Sequence, residues 1–341
     1  SMATYKGIQG YTVQKLSDDP TASEAGGQLW YNSSTGKFNI SVGVAGAWAS
    51  GGNMNQAKHW AGSGGIQTAA FVAAGATPPY TVNTEHYDGS TWTEVANLSG
   101  AARYLCGGNG TTAASIIAGG GNPSVVALTE TWNGSSWSEV GALGTARYNF
   151  GSICGTTTAG VIASGATYTG PTPSIAVLPE CESWDGTSWS EVNGLNTARA
   201  RLNQGGTQTA GIAMGGVTTS YPESGFQKTT ETFDGTSWTE VNDMNTARCN
   251  LGAGSNSQTS MLIFGGSTTT PGTFETVTES WDGTSWTEVA DLASGIDNNM
   301  GAGGSNASAI SAGGTPPAAA QTNATENWDD PAYSIKTVTV S

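Results

Sequence analysis

Charge is scarce in this chain. Only 11% of its 341 residues are Asp, Glu, Lys or Arg, less than half of the ~25% usual in a soluble domain. Bases are scarcer than acids, with 11 Lys and Arg against 26 Asp and Glu for a net charge of −15. Such a surface repels phosphate backbones and anionic headgroups, which argues against generic binding to nucleic acid or to a membrane surface. Histidine is limited to His59 and His86, too few to nominate a Ser-His-Asp set or a copper site by spacing. The four cysteines, Cys106, Cys154, Cys181 and Cys249, lie far apart with no C-x-x-C spacing. Buried free thiols are therefore expected, not a disulfide framework or a zinc site. No apolar run approaches the ~20 residues of a membrane-crossing helix, so no membrane insertion is expected.

Glycine and aromatics are what the chain has in excess: 50 Gly and 12 Trp, with 10 Tyr and 7 Phe. Aromatic anchors on that scale exclude a disordered Gly-rich linker. They are also periodic. The run Glu130-Thr-Trp-Asn-Gly-Ser-Ser-Trp-Ser-Glu-Val140 recurs at 182–192, 231–241 and 279–289, with a variant at 85–95. The Trp of the Trp-x-Glu-Val end of each copy falls at Trp92, Trp137, Trp189, Trp238 and Trp286, at intervals of 45, 52, 49 and 48, and Trp48 lies 44 before the first. A period of ~40–50 is that of a four-stranded propeller blade and too long for the common helical repeats.

Each repeat reads as four strands, a to d from the inside outward. Asp-Gly or Asn-Gly between two short aromatic runs signals a tight hairpin with both turn residues at positive φ, which joins outer strands c and d. Upstream, a small-residue apolar run ending at Gly-Gly follows another Gly-rich strand. These are inner strands a and b, where crowding near an axis favours Gly and Ala. Six inner pairs can be counted, so the expectation is an all-β, six-bladed propeller of four-stranded antiparallel blades. The last repeat begins at Glu326-Asn-Trp-Asp329 but then breaks into Asp330-Pro331. The orphan strand around Ala47-Trp48-Ala49 is expected to complete that blade, because an open repeat array would expose unpaired edges. The domain reading is a leader at 1–46 with a short hairpin and a propeller at 47–341.

The order Thr145-Ala-Arg147, Gly-rich strand, apolar strand ending in Gly-Gly, then Glu-x-Trp-Asp and Trp resembles the kelch repeat over about residues 48–330. That resemblance implies a kelch-like propeller and says little about function, since one fold hosts many functions. In the leader, Gly27-Gln-Leu-Trp-Tyr-Asn-Ser-Ser-Thr-Gly-Lys-Phe38 is similar to a short hairpin common in bacteriophage tail and virion-appendage proteins. The combination implies a virion or extracellular tail-associated structural protein. Its expected partners are a host-surface glycan or protein and other virion proteins.

Basic residues sit at a repeating position. Lys58, Arg147, Arg199 and Arg248 each follow their Trp by ten residues, and Arg103 follows Trp92 by eleven; the sixth equivalent is Ile296. They could form a cationic ring for an anionic ligand, or each could pair with the Glu of a Trp-x-Glu-Val strand (Glu94, Glu139, Glu191, Glu240, Glu288) as a brace. The Asp-Gly turns offer one carboxylate each, too few oxygens for calcium. No cofactor and no metal are expected. Strand alternation places the b-to-c loops (76–84, 121–129, 166–180, 217–230, 267–278 and 315–325) on one face with the d-to-a connections. These loops differ between repeats and carry Tyr80, Tyr168, Tyr221, Phe226 and Phe274, side chains able to stack on sugars or anchor a partner. The candidate ligand-binding set is therefore Tyr168, Tyr221, Phe226 and Phe274, with Arg147, Arg199 and Arg248. The reading is a non-enzymatic adhesin with its ligand on this face. Alternatives are a glycan hydrolase, for which Glu223 and Glu275, in loops, and Asp297, near the mouth, are the candidate carboxylates outside the repeat, and a structural spacer.

Overall fold

The computed structural model describes residues 13–20, 28–77, 79–122, 124–169, 174–220, 223–254, 256–269, 273–318, 320–330 and 332–338. Among them no helix occurs; the secondary structure is all strand. Two compact units emerge, one from Ser1–Gly46 with Asp330–Ser341, the other from Ala47–Asp329.

The larger unit contains six four-stranded antiparallel sheets among its described residues. Five are each built from one stretch of chain, with the strands in chain order. The first runs Gly62–Ile66, Ala69–Ala73, Thr84–Tyr87, Trp92–Val95 from the inside outward. The sixth takes Met300–Ser305, Ser308–Ala312 and Thr325–Asp329 from the end of the unit and Ala47–Ser50 from its beginning. Trp328 pairs with Trp48 in that register, so the orphan Trp strand takes the outer position. The six innermost strands pack side by side in order, and Met300–Ser305 lies beside Gly62–Ile66. The Ser63 hydroxyl donates to the Gly301 carbonyl at 2.9 Å across that junction. The succession of sheets thus returns to its start.

Inner-strand glycine is set by this crowding. A Cβ at Gly301 would collide with the Ala253 carbonyl of the neighbouring sheet, and one at Gly108 would sit 2.9 Å from the Ser63 nitrogen. Outward, the space between sheets widens and tryptophan fills it. In the first five sheets strand c pairs its terminal aromatic with the first residue of d, as in Trp132–Trp137 and Trp184–Trp189, with ring centroids 5.6 and 5.3 Å apart. Trp137, Trp189, Trp238 and Trp286 are all buried, each within an apolar cluster that spans two sheets. All four cysteines are buried free thiols, and burial pushes Cys154 up to about 12 and Cys181 to about 11.

Two expectations need correction. The c-to-d turn has four residues between the paired aromatics, not two: Trp184 pairs with Trp189. Only its Gly186 has positive φ, at 95°. Asp185 instead closes the turn by accepting the N–H groups of Thr187 and Ser188, each at 2.8 Å. The same bonds hold Asp88, Asp234 and Asp282 well below the usual carboxylate range. The second correction concerns the C-terminal segment. It does not belong to the larger unit, because Ala332–Thr337 pairs along Lys37–Val44.

The smaller unit is a four-stranded sheet holding the expected hairpin, Leu29–Asn32 against Lys37–Val44. Asp19 organises it, accepting hydrogen bonds from Trp30, Asn32 and Asn39 at 2.8 Å each. These three donors lower its pKa.

Candidate functional site

The expected face assembles as the strand directions require. Each connection from a d strand meets the first residue of the following b-to-c loop in an antiparallel bridge: His59 with Ala76, Tyr104 with Gly121, Tyr148 with Ala166, Ala200 with Val217, Cys249 with Ser267 and Asp297 with Thr315. Three of the loops form hairpins of their own: Gly121–Asn122 with Ser124–Val125, Ala166–Thr169 with Ser174–Val177, and Val217–Ser220 with Glu223–Phe226. Neighbouring hairpins pack on one another, and Tyr148, Ala166 and Ala200 form an apolar footing with Val125 and Val177. One side of the face is therefore walled. The other three loops show no strand pair beyond isolated bridges among the described residues.

The repeated bases are braces. Arg147, Arg199 and Arg248 are fully buried, so they cannot contact a ligand on the surface. Their partners are not the glutamates of the Trp-x-Glu-Val strands but those at the second position of strand c. The ion pairs are Lys58–Glu85 at 3.2 Å, Arg103–Glu130 at 2.8 Å, Arg147–Glu182 at 2.7 Å, Arg199–Glu231 at 2.9 Å and Arg248–Glu279 at 2.8 Å. The reason is reach and alternation. The incoming connection crosses the inner end of its own sheet, where the c-strand glutamate is buried, whereas the d-strand glutamate points to solvent. Arg248 also donates from Nη1 to the Gly265 and Val277 carbonyls at 2.8 and 2.7 Å, tying connection, strand b and strand c into one node. Burial still pulls the Lys58, Arg199 and Arg248 pKa values down, the carboxylate only partly offsetting it.

Of the predicted aromatics, Phe226 and Phe274 are half-buried at the feet of their loops, bonded through the backbone to Val217 and Ser267 respectively. Tyr168 lies on a strand of the second hairpin, paired with Ile175. Tyr221 lies outside the described residues. Among the alternative catalytic carboxylates, Glu275 accepts from the Thr268 hydroxyl at 2.7 Å. Asp297 is buried and accepts from Asn298 at 2.7 Å.

What the sequence reading missed lies two residues beyond each base. Trp60, Leu105, Asn149, Arg201, Asn250 and Asn298 all have left-handed backbone, with φ between 54° and 60°. They form a broken backbone circlet, five hydrogen bonds joining the six residues. The N–H of Leu105 donates to Trp60, Asn149 to Leu105, Arg201 to Asn149, Asn250 to Arg201 and Asn298 to Asn250, at 2.6–3.2 Å. Asparagine tolerates this conformation, while Trp60, Leu105 and Arg201 are held in it at roughly 1–2 kcal/mol each. The three asparagines were the available signal. Below the circlet, the axial cavity has a volume of only about 70 Å³, room for a few waters.

At one side of the circlet stands an aromatic cluster. His59 lies on Trp60 with centroids 4.0 Å apart, Trp60 is 5.6 Å from Tyr104, and Tyr80 stacks on Tyr104 at 4.3 Å. All four are half-buried, and burial lowers the His59 pKa from its ordinary value. Its Nδ1 shares a 2.7 Å hydrogen bond with Thr315 Oγ1. The other histidine is elsewhere, edge-on against Trp132. No metal-holding group of three His, Cys, Asp or Glu occurs among the described residues.

All-β architecture with a returning succession of four-stranded sheets defines a propeller-like protein. No known protein family matches the sequence, and no curated protein matches it. Among solved structures, one titled "Structure of YjhT" is similar, with a TM-score of 0.67 and 11% identity, covering 83% of this chain and 99% of that chain. At that identity the likeness is one of fold.

Proposed function

We propose that this chain is a kelch-like, six-bladed propeller of a phage-type structural protein. On this reading it binds a host-surface glycan or protein through the face that carries the b-to-c loops, without chemistry of its own. The observation that supports the reading best is the cluster of His59, Trp60, Tyr80 and Tyr104 beside a wall of hairpins. Half-buried aromatic rings suit the apolar faces of sugar rings, and neighbouring amides and hydroxyls suit their hydroxyls. An acidic protein gains nothing by long-range attraction to an anionic surface, so recognition would rest on such short-range stacking. Ties to other virion proteins and residence on a virion belong to the same proposal, carried by the leader hairpin and the repeat style.

The test is a glycan array and a whole-cell binding assay with purified protein, alongside Trp60→Ala and Tyr104→Ala. Loss of one stacking anchor should cost ~2 kcal/mol, a roughly thirty-fold weakening. Binding that survives both changes, or that follows Asp185 and Asp234 on the opposite hairpins, would sink the proposal.

A further inference from the structure

The sixth sheet lacks the cation that the other five hold. Ile296 occupies the arginine position: its carbonyl accepts from the Gly266 N–H at 2.8 Å, as the Arg248 carbonyl does from Gly216. The strand-c glutamate is nevertheless kept, as Glu326. Elsewhere this glutamate accepts from a backbone N–H of the connection and pairs with its base, and in all but Glu182 it also takes a side-chain amide or hydroxyl; the Glu279 node has all three. It accepts from the Asn245 backbone N–H at 2.7 Å, from the Asn245 amide at 2.9 Å and from the Arg248 guanidinium at 2.8 Å. At Glu326, among the described residues, only the backbone donor survives, the Ala293 N–H at 3.1 Å, because Ala293 replaces the asparagine and Ile296 the arginine.

The space left behind is a cavity of about 290 Å³. Its lining includes Glu326, Gly313 and Ala324. Those are the counterparts of Glu279, Gly265 and Val277, the three residues that grip the Arg248 guanidinium. Asn53 and Ser294, both exposed, also line it, so it opens to solvent. Glu326 is the one titratable side chain among the lining residues.

We propose that this cavity receives a guanidinium group on an aliphatic stem, standing where the missing arginine would stand. The carboxylate takes two N–H donors, and the Gly313 and Ala324 carbonyls are placed for the rest. A planar fork fits that set better than an ammonium, which is a compact point charge with a tighter hydration shell. Ile296 fills the path that the protein's own stem follows in the other sheets, so the incoming group enters from the solvent side. The group can come from a free arginine-like small molecule or from an arginine side chain of a partner protein.

The experiment uses the full chain and follows both thermal unfolding and calorimetric binding. Probes are ethylguanidine, agmatine and L-arginine, an Arg-containing peptide and its Lys counterpart, with ethylammonium and ethylurea as controls. Guanidinium probes should raise the unfolding temperature of the parent protein and bind it at least tenfold more tightly than Glu326→Gln. Ile296→Arg should unfold at a higher temperature than the parent and no longer respond, its own side chain filling the slot. Binding of the small probes assigns a small-molecule source; binding of the Arg peptide alone assigns a partner's side chain. Equal responses in the parent and Glu326→Gln, equal binding of ammonium and guanidinium, or no response to any probe would overturn the proposal.

Discussion

The indole N–H of Trp92 donates to the Thr325 hydroxyl at 3.1 Å, joining residues 233 positions apart. Its counterparts recur from sheet to sheet: Trp137 to Thr84 at 3.1 Å, Trp189 to Thr129 at 2.9 Å, Trp286 to Thr230 at 3.0 Å and Trp48 to Thr278 at 3.0 Å. In each case an outer-strand tryptophan reaches the first residue of strand c in the sheet before it. The repeated Trp and the repeated Thr are therefore one device seen from two sheets, and Trp92 with Thr325 is its copy between the first sheet and the last.

Replacing Trp189 by Ala removes both the apolar wedge and this bond. A loss of ~3–5 kcal/mol in urea unfolding is expected. Thr129→Val, which keeps the shape and deletes the acceptor, should cost only about 1 kcal/mol. Equal losses in the two variants would show that the hydroxyl, not the wedge, does the stabilising.

The series has one defect. Cys181 stands where the other sheets have Thr, and among the described residues the Trp238 indole N–H has no oxygen acceptor. Thr fits the equivalent position in five sheets, so Cys181→Thr should restore the bond and stabilise by about 1 kcal/mol. An unchanged or lower unfolding temperature would mean that this junction is packed differently from its neighbours.

The Trp period and the Gly-rich inner strands made the sheet architecture legible, because both respond to a geometric demand that every repeat shares. The partner of the bases was not legible. Glu182 and Glu191 face each other across strands c and d, and spacing alone does not say which of the two is buried. The aromatic cluster escaped for a different reason. His59, Trp60, Tyr80 and Tyr104 come from two connections and one loop, and no periodicity links residues that share only a place on the face. The C-terminal strand was misplaced because Ala332–Thr337 carries no repeat signal, and its pairing with Lys37–Val44 spans nearly the whole chain.

Breaking one of the buried ion pairs should be costly. Glu231 has no exposure, and its Arg199 partner supplies the compensating charge at 2.9 Å. Arg199→Met leaves a bare buried carboxylate and should destabilise by ~3–5 kcal/mol. Adding Glu231→Gln removes that charge while keeping an acceptor for the Asn196 N–H, so the double variant should be more stable than Arg199→Met alone. If the second change adds to the first, the penalty comes from lost packing and not from the stranded charge.

Glu326 supplies a pH-dependent counterpart. Burial raises its pKa above the ordinary glutamate value of 4.5, with the Ala293 N–H only partly opposing the shift. A carboxyl with a raised folded-state pKa binds its proton more tightly in the native protein than in the unfolded chain. Its favourable contribution is therefore complete below 4.5 and is lost as the pH rises through the folded-state value. Above the folded-state value the ionised group faces its cavity without a cation, and there Glu326→Gln should raise the unfolding temperature. Below pH 4.5 the parent group is protonated in both states, so the difference should shrink toward zero. Thermal scans of the two proteins from pH 3.5 to 7.5 measure this directly. A gain that persists undiminished at low pH would mean that Gln packs better than Glu for reasons unrelated to charge, and the charge argument for Glu326 would fail.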